Sequence, residues 1–385
     1  MDLDFNEAQE SFRAEARAWL EANVPSEPLP SGDTREGFAR HLEWERLLFD
    51  ARWAVVSWPE EYGGRGADLI EWLIFEEEYW AAGGPGRVTQ NGIFLLAPTI
   101  FEHGTKEQQD RYLPKMAAGE ELWAQGWSEP DAGSDLAGLR SRAVQDGDDW
   151  VLTGQKTWST RGLFCDWLFG LFRSDPEAPR HHGLTYFLVP LDAEGVTVRP
   201  ISGLHDDVAF AEVFLEEVRV PSANVLGGVN EGWRVAMATA SSERGLTLRS
   251  PGRFMAAADR LIDLYRRRPD EHLRDDVARA WMNAEAYRLL TFQAVSRMLQ
   301  TGQPMGAEAS LMKLWWSELD VHLNQTAQRL VGTEAELGLD SEDTPDDGRW
   351  LDGWLFSLAG PIYAGTNEIQ RNVVAERVLG LPRVR

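Results

Sequence analysis

The spacing of apolar positions changes twice along the chain. Up to about residue 118 they recur three and four apart, as on one face of a helix. Phe12, Ala16, Trp19 and Leu20 share such a face, and Asn6 with Gln9 three residues on forms a capping-box pattern at its start. Pro25, Pro28 and Pro30 end that helix. Further helices are expected over 36–51, 68–80 and 106–118, with Gly83-Gly84-Pro85-Gly86 as a loop. The run Glu76-Glu77-Glu78 reads as a solvated helix face. From 119 to 227 the pattern becomes that of short strands. Asp146-Gly147-Asp148 is a turn signal between 140–144 and 150–153, which predicts a hairpin. Runs 184–189, 196–200 and 211–220 are further strands, punctuated by Pro, Gly and Asp. Helical spacing returns over 231–243, 254–266, 275–299 and 307–330, and an acidic loop at 340–347 precedes the last helices. The expected class is α+β in three domains: helical 1–118, a β-sandwich or barrel over 119–227, and a helical bundle over 228–385.

Composition narrows the function. A chain of 385 residues with 43% hydrophobic residues builds more than one small core. No apolar run approaches the roughly 20 residues of a membrane helix; the best, 163–172, is broken by Asp166. The acidic start, Met1-Asp2-Leu3-Asp4-Phe5, lacks the order of a signal peptide, and a single cysteine excludes an internal disulfide, so a cytoplasmic protein is expected. Cys165, between Phe164 and Asp166, reads as a structural thiol. A formal charge of −24 disfavours nucleic acid but leaves room for a small anion in a local basic or amide-lined pocket. Seventeen tryptophans suit either a large aromatic core or a bulky apolar site.

Several motif classes are missing. The chain has no Gly-x-Gly-x-x-Gly, no Walker loop and no His-Glu-x-x-His, and the adjacent His181-His182 is wrongly spaced to chelate a metal from a helix face. Gly126-Trp127-Ser128-Glu129-Pro130 misses the nucleophile elbow, because proline replaces its second glycine.

Three other segments carry a resemblance. Ile362-Tyr363-Ala364-Gly365-Thr366-Asn367-Glu368-Ile369-Gln370-Arg371-Asn372 resembles the segment that closes over the flavin in acyl-CoA dehydrogenases. Gln125-Gly126-Trp127-Ser128-Glu129-Pro130-Asp131-Ala132-Gly133-Ser134-Asp135 is similar to that family's Glu-Pro…Ala-Gly-Ser-Asp signature. Gly154-Gln155-Lys156-Thr157-Trp158-Ser159-Thr160 is similar to its Gly-x-Lys-x-Trp-x-(Thr/Ser) strand. With helical, β and helical blocks in the family's order, the resemblance covers nearly the whole chain. It implies the acyl-CoA dehydrogenase fold, FAD as cofactor, an acyl-CoA substrate and an electron-transfer flavoprotein as acceptor.

The resemblance also assigns roles. Ser128 and Thr160 are implied at the flavin ring edge and Trp158 over one ring face, with Trp127 and Ser159 in the same cofactor-binding segments. Ser134 is implied at the cofactor phosphates and the coenzyme A tail. Gln328-Arg329-Leu330-Val331-Gly332 partly matches a Gln-x-x-Gly-Gly loop that meets the flavin adenosine from a neighbouring subunit, giving Gln328 and Gly332. Gly365, Thr366 and Glu368 align with positions that cradle pyrophosphate and adenosine.

Two departures matter. The family's usual catalytic glutamate follows the tyrosine, where this chain has Ala364. In the isovaleryl- and long-chain-type branches a glutamate before an arginine on an earlier helix takes that part, here Glu243 in Ser241-Ser242-Glu243-Arg244-Gly245. A glutamate beside an arginine is ordinarily a surface residue. Glu231-Gly232-Trp233-Arg234-Val235-Ala236-Met237, similar to the family's entry into this helix, fixes the register that favours it as the base. Arg244 is then implied as a coenzyme A contact, and the Ala364 amide as a donor to the thioester carbonyl. The second departure is at 266–272, where many homotetrameric members carry Arg-x-x-Phe-Gly and this chain has no Phe-Gly. That loss resembles actinobacterial dehydrogenases acting on sterol side chains, some built from two different subunits, so a homotetramer and an α2β2 heterotetramer with a paralogue are both expected. The alternatives are a non-catalytic subunit that completes a partner's site, or a flavoenzyme acting on carrier-bound acyl groups or nitroalkanes.

Overall fold

The computed structural model describes residues 4–204, 208–244, 250–303, 305–338, 341 and 343–383, with the side chains of 241–244 outside the description. In chain order the helices are α1 (Glu7–Asn23), α2 (Arg35–Asp50), α3 (Leu69–Ala81), α4 (Ala97–His103), α5 (Lys106–Ala117), α6 (Gly232–Arg244), α7 (Pro251–Arg267), α8 (Arg274–Thr301), α9 (Ala309–Val331), α10 (Arg349–Ser357) and α11 (Asn367–Val373). The strands are β1 (Trp123–Gly126), β2 (Arg142–Asp146), β3 (Asp149–Thr160), β4 (Trp167–Arg173), β5 (Leu184–Pro190), β6 (Val196–Ile201), β7 (Phe210–Pro221) and β8 (Val225–Leu226). The chain forms two compact units: Met1–Pro25 with Ala67–Gly84 and Arg244–Arg385, and Ser26–Gly66 with Pro85–Glu243.

Among the described residues the first unit is all helical. The capping box at α1 forms as its sequence predicts: Asn6 accepts the Gln9 N–H at 2.9 Å, and Gln9 accepts the Asn6 N–H at 3.1 Å. Helix α3 is packed by α1, α7 and α8. That surrounding corrects the expected solvated face at 76–78. Successive helical residues point about 100° apart, so three acids in a row sweep most of the circumference. Glu76 and Glu78 are buried here. Arg17 donates to Glu78 at 2.8 Å, Arg13 and Arg288 pair with Glu77, and Trp80 Nε1 donates to Glu76 at 3.1 Å. Buried carboxylates survive only when paired in this way. Gly252 lets α7 approach α3, since a Cβ there would lie 2.6 Å from the Glu76 carbonyl oxygen.

The second unit holds the sheet, ordered β6-β7-β3-β2-β4-β5-β8 with β1 beside β4. The two halves meet at one parallel pair, Arg142 with Arg173. They share a core of Ala124, Trp150, Leu152, Leu168, Phe172, Phe187, Val213 and Leu215 among others, drawn from both halves. The sheet therefore folds over one apolar layer, as the expected sandwich requires. The predicted hairpin forms, with a two-residue Gly147-Asp148 turn between β2 and β3 and Gly147 at φ +65°. Strand β3 runs on to Thr160, beyond the expected 150–153. Strand β4 arises from the long apolar run, whose residues 168–172 are all buried. A strand covered on both faces loses the alternation that would mark it.

Candidate functional site

The Gly-x-Lys-x-Trp segment ends β3 at an irregularity. Lys156 pairs with Val213 and Ser159 with Ala211, so three steps on β3 oppose two on β7. The extra residue is a bulge, which re-aims a side chain. Trp158 sits there at φ +60°, 58% exposed between the fully buried Lys156 and Ser159. Its ring meets Phe210 edge-on at 5.8 Å. The Thr157 N–H donates to the Ser128 carbonyl at 2.9 Å, which ties the 125–135 loop to the bulge.

A buried ion pair fixes that loop. Lys156 Nζ donates to Glu129 and to the Leu171 carbonyl, both at 2.7 Å. Glu129 also accepts the backbone N–H groups of Arg140 and Ser141 at 2.6 and 2.9 Å. Burial pushes the Glu129 carboxyl upward, yet Lys156 and the backbone donors outweigh it and hold it below its ordinary value. Burial holds Lys156 below its own, against the pull of Glu129. Glu129 and Ala132 exchange backbone N–H bonds at 2.9 and 3.0 Å, closing a tight turn that leaves Ser134 exposed.

Several polar atoms here are buried and, among the described residues, unpartnered: Ser159 Oγ, Trp127 Nε1 and Gln125 Nε2. Thr160 is half-buried, and its carbonyl accepts from Asn91 Nδ2 at 3.5 Å. Asn91 starts a π-helical turn, Asn91–Leu96, that the sequence reading missed. Its signal was faint, because an extra residue in a helix leaves nearly the same apolar spacing. Cys165 is half-buried, donates to the Arg161 carbonyl at 3.3 Å, and is pushed up to about 12 by burial, so it is an inert thiol.

The helical unit carries the other segments. Ala364 and Gly365 both have left-handed backbone, φ +56° and +79°. For alanine that conformation is uncommon. Gln370 Nε2 holds it by donating to the carbonyls of Ala364 and Gly365 at 3.0 and 3.3 Å, while no described residue accepts from the Ala364 N–H. Thr366 caps α11, accepting the Ile369 N–H at 3.3 Å. Asn367 is buried under Lys313 and Ser317, which donate to it at 2.7 and 3.1 Å. Tyr363 stacks on Trp316 at 5.8 Å. Glu368 is exposed, and bonds to its own N–H and to Thr366 keep its carboxyl below the ordinary value. The Gln328…Gly332 spacing is a helix end: Gly332 caps α9 at φ +72°, donating to the Gln328 carbonyl.

Glu243 and Arg244 are the last two residues of α6, and their side chains lie outside the described residues. The helix itself is firmly seated. Gly232 at its start lies where a Cβ would come within 2.7 Å of the Thr185 backbone. Thr239, one turn before 243, is fully buried against Thr99 Oγ1 at 2.8 Å and Tyr186 OH at 3.2 Å. Among the described residues no group of His, Cys, Asp or Glu could hold a metal, and no helix is long and apolar enough to cross a membrane.

Three consecutive family models match this chain: "Acyl-CoA dehydrogenase, N-terminal domain" over 6–120, the "middle domain" over 124–218 and the "C-terminal domain" over 230–379. The chain belongs to the acyl-CoA dehydrogenase family. It is 39% identical to acyl-CoA dehydrogenase IpdE1 of Mycobacterium tuberculosis, across 97% of this chain and 98% of that protein. Among solved structures it resembles the Tcur3481-Tcur3483 steroid ACAD, TM-score 0.89 and 30% identity, with both chains fully covered. The ChsE4-ChsE5 complex from Mycobacterium tuberculosis gives TM-score 0.86 and 30% identity, again over the whole of both chains. This acyl-CoA dehydrogenase thus has the family's fold of N-terminal helices, middle sheet domain and C-terminal helices, and is an FAD-dependent oxidoreductase. Its residues fit such a cofactor. An outward tryptophan beside buried, unpartnered hydroxyl and N–H groups offers what a flavin ring needs, apolar contact on a face and hydrogen bonds at an edge.

Proposed function

We propose that this acyl-CoA dehydrogenase desaturates the α,β-bond of a coenzyme A thioester with a bulky, steroid-type acyl group, and that Glu243 is its base. The observation that carries the base assignment is the loop at 363–366, which keeps a left-handed backbone at Ala364 and Gly365 but offers only a methyl group at Ala364. The names of the solved relatives support the substrate class, since one is called a steroid ACAD. In this reading the Glu243 carboxylate takes the α-proton, and the free Ala364 N–H donates to the thioester carbonyl as charge builds there. FAD, when bound, supplies the acceptor for the β-hydride. Trp158 covers one face of its ring, Ser128, Ser159, Thr160 and Trp127 serve its polar edge, and Ser134 meets phosphate. Gln328, Gly332, Gly365, Thr366 and Glu368 serve the pyrophosphate and adenosine side, and Arg244 contacts coenzyme A. Electrons leave to an electron-transfer flavoprotein in the cytoplasm.

Glu243→Gln tests the base. The amide keeps size and one acceptor oxygen but takes no proton. Turnover should fall by about 10²–10⁴-fold, the usual loss for a positioned base. Flavin content per chain and the long-wavelength band with enoyl product should persist. Near-normal turnover by this variant would overturn the assignment.

A further inference from the structure

Helix α9 buries a lysine. Lys313 has no exposed surface, and a charged group persists in such a place only when it is bonded. Its Nζ donates to Asn367 Oδ1 at 2.7 Å. Ser317, one turn further along α9 and also fully buried, donates to the same oxygen at 3.1 Å. Asn367 Nδ2 donates in turn to Glu318 Oε1 at 3.4 Å. A hydrogen bond with an ionised donor is roughly twice as strong as a neutral one, so Lys313 makes the stronger of the two bonds to Asn367 Oδ1.

Asn367 is also where the 361–367 loop closes. Its N–H donates to the Pro361 carbonyl at 2.8 Å, which joins the two ends of the loop. The Tyr363 N–H donates to the Ala359 carbonyl at 3.0 Å, and the Tyr363 ring stacks on Trp316, whose own ring lies 5.7 Å from Lys313 Nζ. Between these anchors stand Ala364 and Gly365, both left-handed. Glycine adopts that backbone freely, whereas the alanine Cβ crowds the following carbonyl oxygen. Such a residue persists only where its surroundings over-determine it. Gln370 bonds the Ala364 and Gly365 carbonyls, but it is carried by α11, and α11 begins at Asn367. The hold on the loop therefore runs through Asn367 to α9.

We propose that Lys313 is a positioning residue for the thioester. Through Asn367 it locks the 361–367 loop in the left-handed turn that leaves the Ala364 N–H open to the substrate carbonyl. The part played by that N–H rests on the desaturation reading above; the part played by Lys313 in holding the loop does not.

The test pairs hydrogen exchange with turnover per bound flavin, both on the purified flavoprotein. Lys313→Met keeps the reach and the burial of the side chain but removes its donors. The amides of Tyr363 and Asn367 should then exchange roughly tenfold faster or more, as loss of a charge-assisted bond implies. With a thioester substrate kcat should fall about 10²-fold at nearly constant KM, the mark of a misplaced group that acts in the transition state. Adding Ala364→Gly should recover about tenfold of that loss, because glycine carries no left-handed penalty for the loosened loop to relax. A merely structural lysine would show no such rescue. Asn367→Ala should reproduce the Lys313→Met effects, and the two together should cost no more than either alone, since they act as one unit. Should Lys313→Met fail to fold, Asn367→Ala with and without Ala364→Gly carries the test. Unchanged exchange at 363 and 367 would overturn the proposal whatever the activity, and so would a kcat loss that Ala364→Gly leaves in place. A wild type that oxidises no thioester overturns the desaturation reading instead, and the exchange rates then decide on Lys313 alone.

Discussion

Trp158 and Lys156 sit two residues apart on one strand, and the bulge gives them opposite fates. Trp158 is mostly exposed, so Trp158→Ala should shift unfolding by only about 0.5 kcal/mol, as surface changes do. Flavin retained through gel filtration should nevertheless drop, if the ring is a cofactor platform. Lys156→Met does the reverse, leaving a buried Glu129 carboxylate with backbone donors alone, and should cost about 3–5 kcal/mol in urea unfolding. The same pair sets an acid response. Glu129 lies below its ordinary value when folded, so its contribution is complete above the unfolded carboxylate value, about 4.3, and drains away as pH falls through the folded one. Unfolding free energies from pH 6 downward should therefore fall more steeply for the wild type than for Glu129→Gln. Motif residues were legible from the sequence because their spacing is local. The donors that hold them, Gln370 under Ala364 or Arg140 behind Glu129, were not, because nothing local marks which backbone groups a fold will bury.

Among elements, legibility followed periodicity. Helices α1, α3, α5, α8 and α9 fall within a few residues of where apolar spacing and caps place them, and the β2–β3 hairpin has its predicted turn. Strand β4 escaped because burial on both faces erases alternation, and the Asn91–Leu96 turn because one extra helical residue barely disturbs the pattern. The acids at 76–78 were misread for a related reason: a charge run says nothing about whether arginines of α1 and α8 wait opposite it. The bulge at 157–158 left a trace only in the family motif. A strand pattern in which Trp158 breaks the alternation is otherwise noise.

At the scale of the molecule, the order of helical, sheet and helical blocks gave the fold class before any coordinate, and the family models tile the chain in that order. Assembly is a separate matter, because the missing Phe-Gly at 266–272 removes a segment that homotetrameric members use between subunits. Native mass spectrometry of the chain expressed alone and with a paralogue tests this. One tight FAD per chain in a homotetramer contradicts an α2β2 reading, whereas flavin that rises above sub-stoichiometric levels only on co-expression supports it. The central claim, desaturation of a bulky acyl-CoA, is tested most directly by presenting the purified flavoprotein with a panel of coenzyme A thioesters and a ferricenium acceptor. Straight-chain, branched and steroid side-chain members should be compared by kcat/KM, with products read by mass. The account predicts acceptor reduction matched by loss of two hydrogens from the thioester, greatest for the steroid member. A yellow protein that oxidises none of them would contradict it.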